Sequence, residues 1–272
     1  MSEYSDNIRK LIIKQLEVDS ADQNLTLNNT LRLLGKWRST LLQNTLIQNH
    51  GTTVLQGPMK GLEFLRHSSE GCHVPKLLGT YEQPLHHHIT EAINHSYDNL
   101  LNIGCAEGYY AVGLARLMTK TVSYAYDIDA NARESCRALA IKNGVEDRLI
   151  IGELFTPDDF AKFEATRTLV FCDIEGSERE LLNPVTAPAL KTMDIIVESH
   201  ECLVKGVTEE LISRFSSTHS ITKVSDDGSR SLDYMPDWYK NLAHLDQLIG
   251  LWEWRSGPTP WLVMKAKGGA EA

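Results

Sequence analysis

The residues best equipped for chemistry in this 272-residue sequence are acids and one histidine that stand where short apolar runs end. Asp173 follows LVFC, and Glu198 follows IIV with His200 two residues further on. A carboxylate or an imidazole in such a place can take a proton from an acceptor hydroxyl or polarise it through a hydrogen bond. The imidazole, with an ordinary pKa near 6.5, suits proton transfer at neutral pH. Asp173, His200 and Glu198 are therefore the candidate catalytic residues. The same three could hold a divalent cation that lowers the pKa of a bound hydroxyl. One histidine and two acids are a composition that chance supplies readily, so a metal is left open and not favoured. Glu175 and Glu178 flank Gly176 at the entry to a helix, where the dipole alone favours acids, and Glu178 is expected to cap. The triplet His86, His87 and His88 is given no ligand role, because consecutive residues on a helix point in different directions.

A second constellation is the run NLLNIGCAEGYYAVGLA from Asn99 to Ala115. It reads as an apolar strand, a turn with two glycines and two small residues, and a helix. Glycine is needed where the backbone turns sharply and approaches a ligand closely. Tyr109 and Tyr110 follow the second glycine, so the third glycine of a dinucleotide fingerprint is missing, and no Lys-Ser/Thr marks a P-loop. The next apolar run, VSYAY, ends in Asp127, about 20 residues on, where a carboxylate can accept from both hydroxyls of a ribose. Asp129 suits a helix N-cap better. Glu153, after Ile150, Ile151 and Gly152, is expected near an adenine edge. The expected nucleoside-binding set is Asn102, Gly104, Cys105, Ala106, Glu107, Gly108, Asp127, Ile128, Glu153 and Asp173.

Residues in these places must be held by a sheet. From residue 98 short apolar runs alternate with helical stretches, the mark of βαβ units. Strands are expected at Leu100–Ile103, Val122–Tyr126, Leu149–Ile151, Leu169–Cys172, Ile195–Val197, Ile221–Val224 and Trp261–Met264, with helices at Tyr109–Met118, Asn131–Asn143, Glu178–Leu182 and Thr208–Phe215. Ligands of open parallel sheets bind outside the carboxyl ends of the strands, which is where all the candidate acids fall. The segment holding Pro236, Trp238, Gly257 and Pro258 is expected to hang over the sheet edge as a lid. Trp252, Trp254, Arg255 and Trp261 would then offer a surface for an aromatic or sugar-like acceptor, or serve as core. Further upstream, Leu27, Leu31, Leu34, Trp37, Leu41 and Leu42 recur at three- and four-residue steps, predicting an amphipathic helix capped by Asn24. Its stripe serves its own domain or a second copy. Residues 51–80 predict short strands and turns around Met59–Leu65, a connector that roofs the site. The chain divides into a helical extension and connector, 1–80, and a catalytic domain, 81–272.

The strand and glycine loop, the ribose acid at Asp127 and the step Gly152-Glu153 resemble the class I S-adenosylmethionine-dependent methyltransferases over roughly residues 98–266. Within that superfamily FCDIEGSE, from Phe171 to Glu178, followed by IVESHE, from Ile196 to Glu201, resembles the FkbM-type enzymes. The resemblance implies a Rossmann-like α/β sheet of seven mostly parallel strands with a helical N-terminal extension. It also implies S-adenosyl-L-methionine as cofactor and O-methylation of a small-molecule, sugar or natural-product hydroxyl. Cys105, Ala106 and Glu107 stand where members often have another early glycine. The first 80 residues carry no resemblance. A catalytically silent binding or scaffolding protein on the same fold is the alternative.

Composition bounds the partners. With 27 Lys+Arg against 36 Asp+Glu the formal charge is −9, which opposes sequence-independent binding to a phosphate backbone. Asp-Ile-Glu-Gly also stands where a base methylase would show Asn/Asp-Pro-Pro-Tyr/Phe. A small-molecule acceptor and no nucleic acid are expected, with a possible homodimer through the N-terminal helix. The five cysteines, Cys72, Cys105, Cys136, Cys172 and Cys202, are scattered and form no CxxC, suggesting neither a disulfide framework nor a zinc site. No run approaches the roughly 20 apolar residues of a membrane span, and the start lacks a secretory signal. A cytoplasmic protein with no membrane partner is expected.

Overall fold

Strand register decides this molecule's geometry, because it fixes which residues leave the sheet side by side. The computed structural model describes residues 3–18, 22–68 and 71–268. Seven strands, β1 (Asn99–Ile103), β2 (Val122–Tyr126), β3 (Leu149–Gly152), β4 (Thr168–Cys172), β5 (Asp194–Glu198), β6 (His219–Val224) and β7 (Trp261–Ala266), pair in the order β3-β2-β1-β4-β5-β7-β6. β1 to β5 run parallel, and β7 lies antiparallel to both β5 and β6. This is the Rossmann-like, mostly parallel sheet of seven strands that the sequence predicted, and each strand begins within two residues of its expected start.

The central strands are buried along their whole length, which is why they read as continuous apolar runs. Alternation still divides their side chains: Leu100 belongs to the core on one face of the sheet, and Leu101 and Ile103 to the core on the other. The first face is covered by α2 (Gln23–His50), α3 (His73–Leu78), α4 (His86–Asn94), α5 (Tyr109–Leu117) and α6 (Ala130–Asn143). Leu42, Leu46, Phe64 and Leu77 share that core with Leu100, Tyr109 and Leu139, so packing is continuous across residue 80. On the other face lie α7 (Glu178–Leu181) and α8 (Val207–Phe215).

The N-terminal region differs from expectation in detail. α1 (Glu3–Leu16) is an additional helix with no buried residue, resting on α2 through Tyr4 to Thr40 and Trp37 to Ser5. The cap of α2 is Asp22, whose carboxylate accepts from Leu25 N, and Asn24 lies inside the helix. The apolar stripe of α2 splits: Leu42 and Leu46 are core, whereas Leu27, Leu31 and Leu34 are exposed. Residues 51–65 form the predicted turns, but in place of the short strands there is an isolated bridge between Thr53 and Glu63.

The segment between β6 and β7 is not a free lid. It forms α9 (Asp237–Lys240) and α10 (His244–Leu251), and α10 packs on α2 and α3. Arg38 grips Asp246 with two bonds of 2.6 Å, and Trp238 donates to His50 at 2.8 Å. The tryptophans go with it: Lys36 lies 4.5 Å over Trp254 and Arg32 5.5 Å over Trp252, and Trp261 is buried on Phe171. Trp261 is core, whereas Trp252 and Trp254 are half-buried and Trp252 lines a cavity of about 810 Å³ together with Glu253 and Arg255. Among the described residues no helix is long and apolar enough to cross a membrane.

Candidate active site

In the parallel register Ile103 stands beside Tyr126 and Cys172, Tyr126 beside Gly152, and Cys172 beside Val197. The next residue of each strand or turn is therefore Gly104, Asp127, Glu153, Asp173 or Glu198. Five of the expected site residues emerge at one level, at the carboxyl edge, around the point where β2 and β4 leave β1 in opposite directions.

A cavity of about 600 Å³ opens there, within the range of cofactor-sized pockets. Gly104, Ala106, Asp127, Ile128, Glu153 and Asp173 all line it. Gly104, at φ 77°, tolerates no substitution: a Cβ would stand 1.6 Å from the Asp173 carbonyl oxygen. The turn after it is fixed by Gly104 N and Cys105 N donating to Tyr126 O, both at 2.9 Å. Asp127 accepts from Ala106 N at 2.9 Å and from Asp129 N at 2.8 Å, so one carboxylate ties the glycine turn to the end of β2 and keeps further lone pairs toward the cavity. Asp129 caps α6 by accepting from Asn131 N, as expected.

Four members of the expected set lie elsewhere. Alternation along β1 sends Asn102 to the opposite face, where its Nδ2 donates to Phe171 O. Asn102 and Cys105 line a second, small cavity of about 20 Å³ that shares Gly104, Ala106 and Asp173 with the first. Glu107 and Gly108 line neither cavity. Glu107 is fully buried in an ion pair with Lys76 at 2.6 Å and accepts from Ser68 at 2.8 Å. Gly108 begins α5 at φ 92°, where a Cβ would meet the Cys136 sulfur at 2.7 Å, so its service is to packing.

At the ends of β4 and β5 four carboxylates gather on His200. Its Nδ1 lies 2.8 Å from Glu178 Oε1, and its Nε2 lies 3.5 Å from Asp173 Oδ1, 3.5 Å from Glu175 Oε2 and 3.7 Å from Glu198 Oε2. Burial pulls the His200 pKa down. The Glu178 hydrogen bond and the charges of Glu198 and Glu175 outweigh it, so the value lies above the ordinary one. Glu178, against the expectation of simple capping, is wholly buried and accepts from Gly176 N at 3.1 Å and Ile174 N at 3.4 Å as well as from the imidazole. Burial works to raise its pKa, but these bonds hold it below the usual range. It stays ionised, so the imidazole Nδ1 is the donor. No cluster forms from His86, His87 and His88: His86 donates to Tyr81 O, His87 is exposed and His88 meets Glu91.

Glu198 is drawn to the far side by Arg255, which binds its Oε1 and also contacts Glu82, Glu253 and Thr259. Glu253 meets Arg230, which Asp226 holds in turn. Glu82, fully buried, accepts from the Tyr110 hydroxyl at 2.5 Å. Burial, with the nearby charge of Glu198, pushes its carboxyl up to about 8 against the pull of Arg255. Sequence reasoning passed over Glu82, which precedes the short helical turn Gln83–Leu85, and Asp226 and Arg230, which lie in the loop after β6. The one local trace is the positive φ of 51° at Glu82, which a sequence does not display.

No protein-family profile matches the chain. It is 30% identical over 142 residues to a ribosomal protein L11 methyltransferase of Shewanella halifaxensis, covering 52% of this chain and 46% of that protein. With the one from Shewanella sediminis it shares 33% identity over 102 residues, 38% of this chain and 33% of that protein. The chain thus spans about half or less of the length of the curated relatives it matches. Among solved structures it is similar to the O-methyltransferase TomG from Streptomyces achromogenes in complex with SAM, at a TM-score of 0.45 and 12% identity over 69% of this chain and 81% of that one. It is also similar to an O-methyltransferase from Bacillus cereus in complex with SAH, at a TM-score of 0.41 and 11% identity over 98% and 92%.

Proposed function

We propose that this chain is an S-adenosylmethionine-dependent methyltransferase that methylates a hydroxyl of a small molecule. The observation that carries it is the arrangement of Gly104, Asp127 and Glu153 around one 600 Å³ cavity with Asp173 in its wall. A nucleoside fits this donor set: Asp127 accepts from the ribose, Ile128 offers an apolar surface, exposed at 75%, and Glu153 meets the adenine edge. When bound there, the cofactor supplies a methyl group on a sulfonium centre. The residues around His200 orient the acceptor oxygen and draw off its proton. Glu198, held by Arg255, fixes the orientation of that group.

The FkbM-type reading rests on the element from Asp173 to Glu178: Glu178 binds the Gly176 amide and the imidazole of His200 together, which gives both halves of the motif one task. The local relatives named for ribosomal protein L11 support a second acceptor class, a protein. The exposed leucines Leu27, Leu31 and Leu34 support self-association through α2, which light scattering of wild type and Leu31→Glu tests.

Isothermal titration with S-adenosylmethionine and with its demethylated product tests the cofactor; binding by neither would refute the proposal. Transfer of a labelled methyl to a panel of glycosides, phenols, amines and ribosomal protein L11 then identifies the acceptor. Binding without transfer to any of them favours the silent, scaffolding alternative. With a true acceptor, His200→Ala is expected to lower turnover roughly 10²–10⁴-fold at nearly unchanged cofactor affinity. Full turnover in that variant removes His200 from the chemistry.

A further inference from the structure

We propose that Asp173, Glu175 and His200 form a site for one divalent cation beside the nucleoside cavity, whose wall Asp173 and Glu175 share. Composition alone does not favour a metal here; the geometry does, for four reasons. One donor atom from each of the three residues lies within 4.8 Å of the others, and three carboxylate oxygens approach a single nitrogen at 3.5, 3.5 and 3.7 Å. Those separations are too long for good hydrogen bonds. They are about half an ångström wider than the roughly 3 Å between neighbouring donors of an octahedral ion with bonds near 2.1 Å.

The second reason is the ring itself. Glu178 takes the Nδ1 proton, so Nε2 faces three carboxylate oxygens that call for a positive centre, either its own second proton or a cation that displaces that proton on binding. Carboxylate, imidazole and metal in line is how ligating histidines are commonly oriented, and here the carboxylate is wholly buried. Third, the turn carrying Glu175 is wound for this purpose. Glu175 and Gly176 have φ of 52° and 104°, and Glu178 ties down the amides of Ile174 and Gly176, returning an otherwise exposed side chain toward the ring. Fourth, four carboxylates surround His200, with Arg255 on the far oxygen of Glu198, a setting of hard oxygen donors that suits a divalent ion. One imidazole among carboxylates suits Mn²⁺, Fe²⁺, Co²⁺ or Zn²⁺ better than Ca²⁺ or Mg²⁺.

The binding of the ion stands independently of the methyltransferase reading; its task rests on that reading. An acceptor oxygen joining the ion beside Asp173 loses its proton more readily and is held at a fixed place against the cavity.

The test is titration of the EDTA-stripped full chain with Mn²⁺, followed by calorimetry and by the electron paramagnetic resonance of free Mn²⁺. One saturable equivalent is expected. Glu175→Gln changes a mostly exposed side chain and leaves the fold in place; it should weaken binding at least tenfold. Glu178→Gln should weaken it roughly 10–100-fold, and His200→Ala should abolish it. Glu209→Gln, an exposed acid on α8 outside the cluster, should change nothing. No saturable binding to the stripped wild type, or equal binding by Glu175→Gln, overturns the proposal. S-adenosylhomocysteine is titrated in parallel in EDTA. Its binding without any Mn²⁺ binding rejects the metal site alone, whereas Mn²⁺ binding without it leaves the site standing and rejects the methyltransferase.

Discussion

Asp127 does two jobs with one carboxylate. It ties the glycine turn through Ala106 N and closes β2 through Asp129 N, and it faces the cavity in which a ribose is proposed. Asp127→Ala removes hydrogen bonds to a charged partner worth about 1.5–3 kcal/mol each. Calorimetry should therefore show S-adenosylmethionine binding weakened by roughly 10- to 100-fold or more. Asp129→Ala should leave that affinity unchanged and cost the α6 cap, about 0.5–2 kcal/mol of stability by urea unfolding. Equal loss of affinity in both variants would move the ribose assignment off Asp127.

Between elements, the connector is fastened to the glycine turn by a buried charge pair. Lys76 of α3 meets Glu107 at 2.6 Å, and both side chains are almost wholly buried. Tyr81 and Tyr109 flank the ammonium at 4.9 and 5.8 Å from their ring centroids. Breaking such a pair leaves a charge buried without its counterion, and Lys76→Met should cost about 3–5 kcal/mol. Adding Glu107→Gln should restore part of it, because the single substitutions share one interaction. Denaturant unfolding of the four proteins measures this. Additive losses would show that Lys76 acts through its rings and not through Glu107. The turn that faces the cavity is thus anchored by a residue far outside the sheet; among the described residues of the connector, Lys76 lines the small cavity and none lines the nucleoside cavity that it was expected to roof.

For the whole molecule, the buried acids set a pH dependence. Glu82 holds its proton up to about 8 in the folded protein and releases it near 4.3 when unfolded. Between those values the folded chain binds the extra proton, so stability falls as pH rises. His200, raised by its carboxylates, works in the same sense above its ordinary value. His73, lowered to about 4 chiefly by burial, works oppositely, but only below about pH 6.5. The window from pH 6.5 to 8 therefore isolates the first two. Glu82 accounts for about 1–2 kcal/mol of loss across it, and Glu82→Gln, which keeps the shape, should flatten the decline by that amount in urea midpoints. A slope unchanged by the substitution would show that Glu82 is ionised throughout.

Much of this protein was legible in its sequence because the signals are local. A parallel strand buried on both faces must be apolar along its length, a glycine is demanded where a Cβ would strike the Asp173 carbonyl, and an acid that ends a strand must face the carboxyl edge. Seven strands and the residues Gly104, Ala106, Asp127, Ile128, Glu153 and Asp173 followed from those rules alone. What needed the tertiary structure was every pairing between charges distant along the chain. Glu107 reads as a loop acid until Lys76 arrives, 31 residues away. Glu178 reads as a cap until His200 arrives, 22 residues away, and Glu82 lies 173 residues from Arg255. A sequence displays charge and spacing, whereas the environment of a buried charge is set by whichever opposite group the packing brings within 3 Å, and packing depends on all the elements at once.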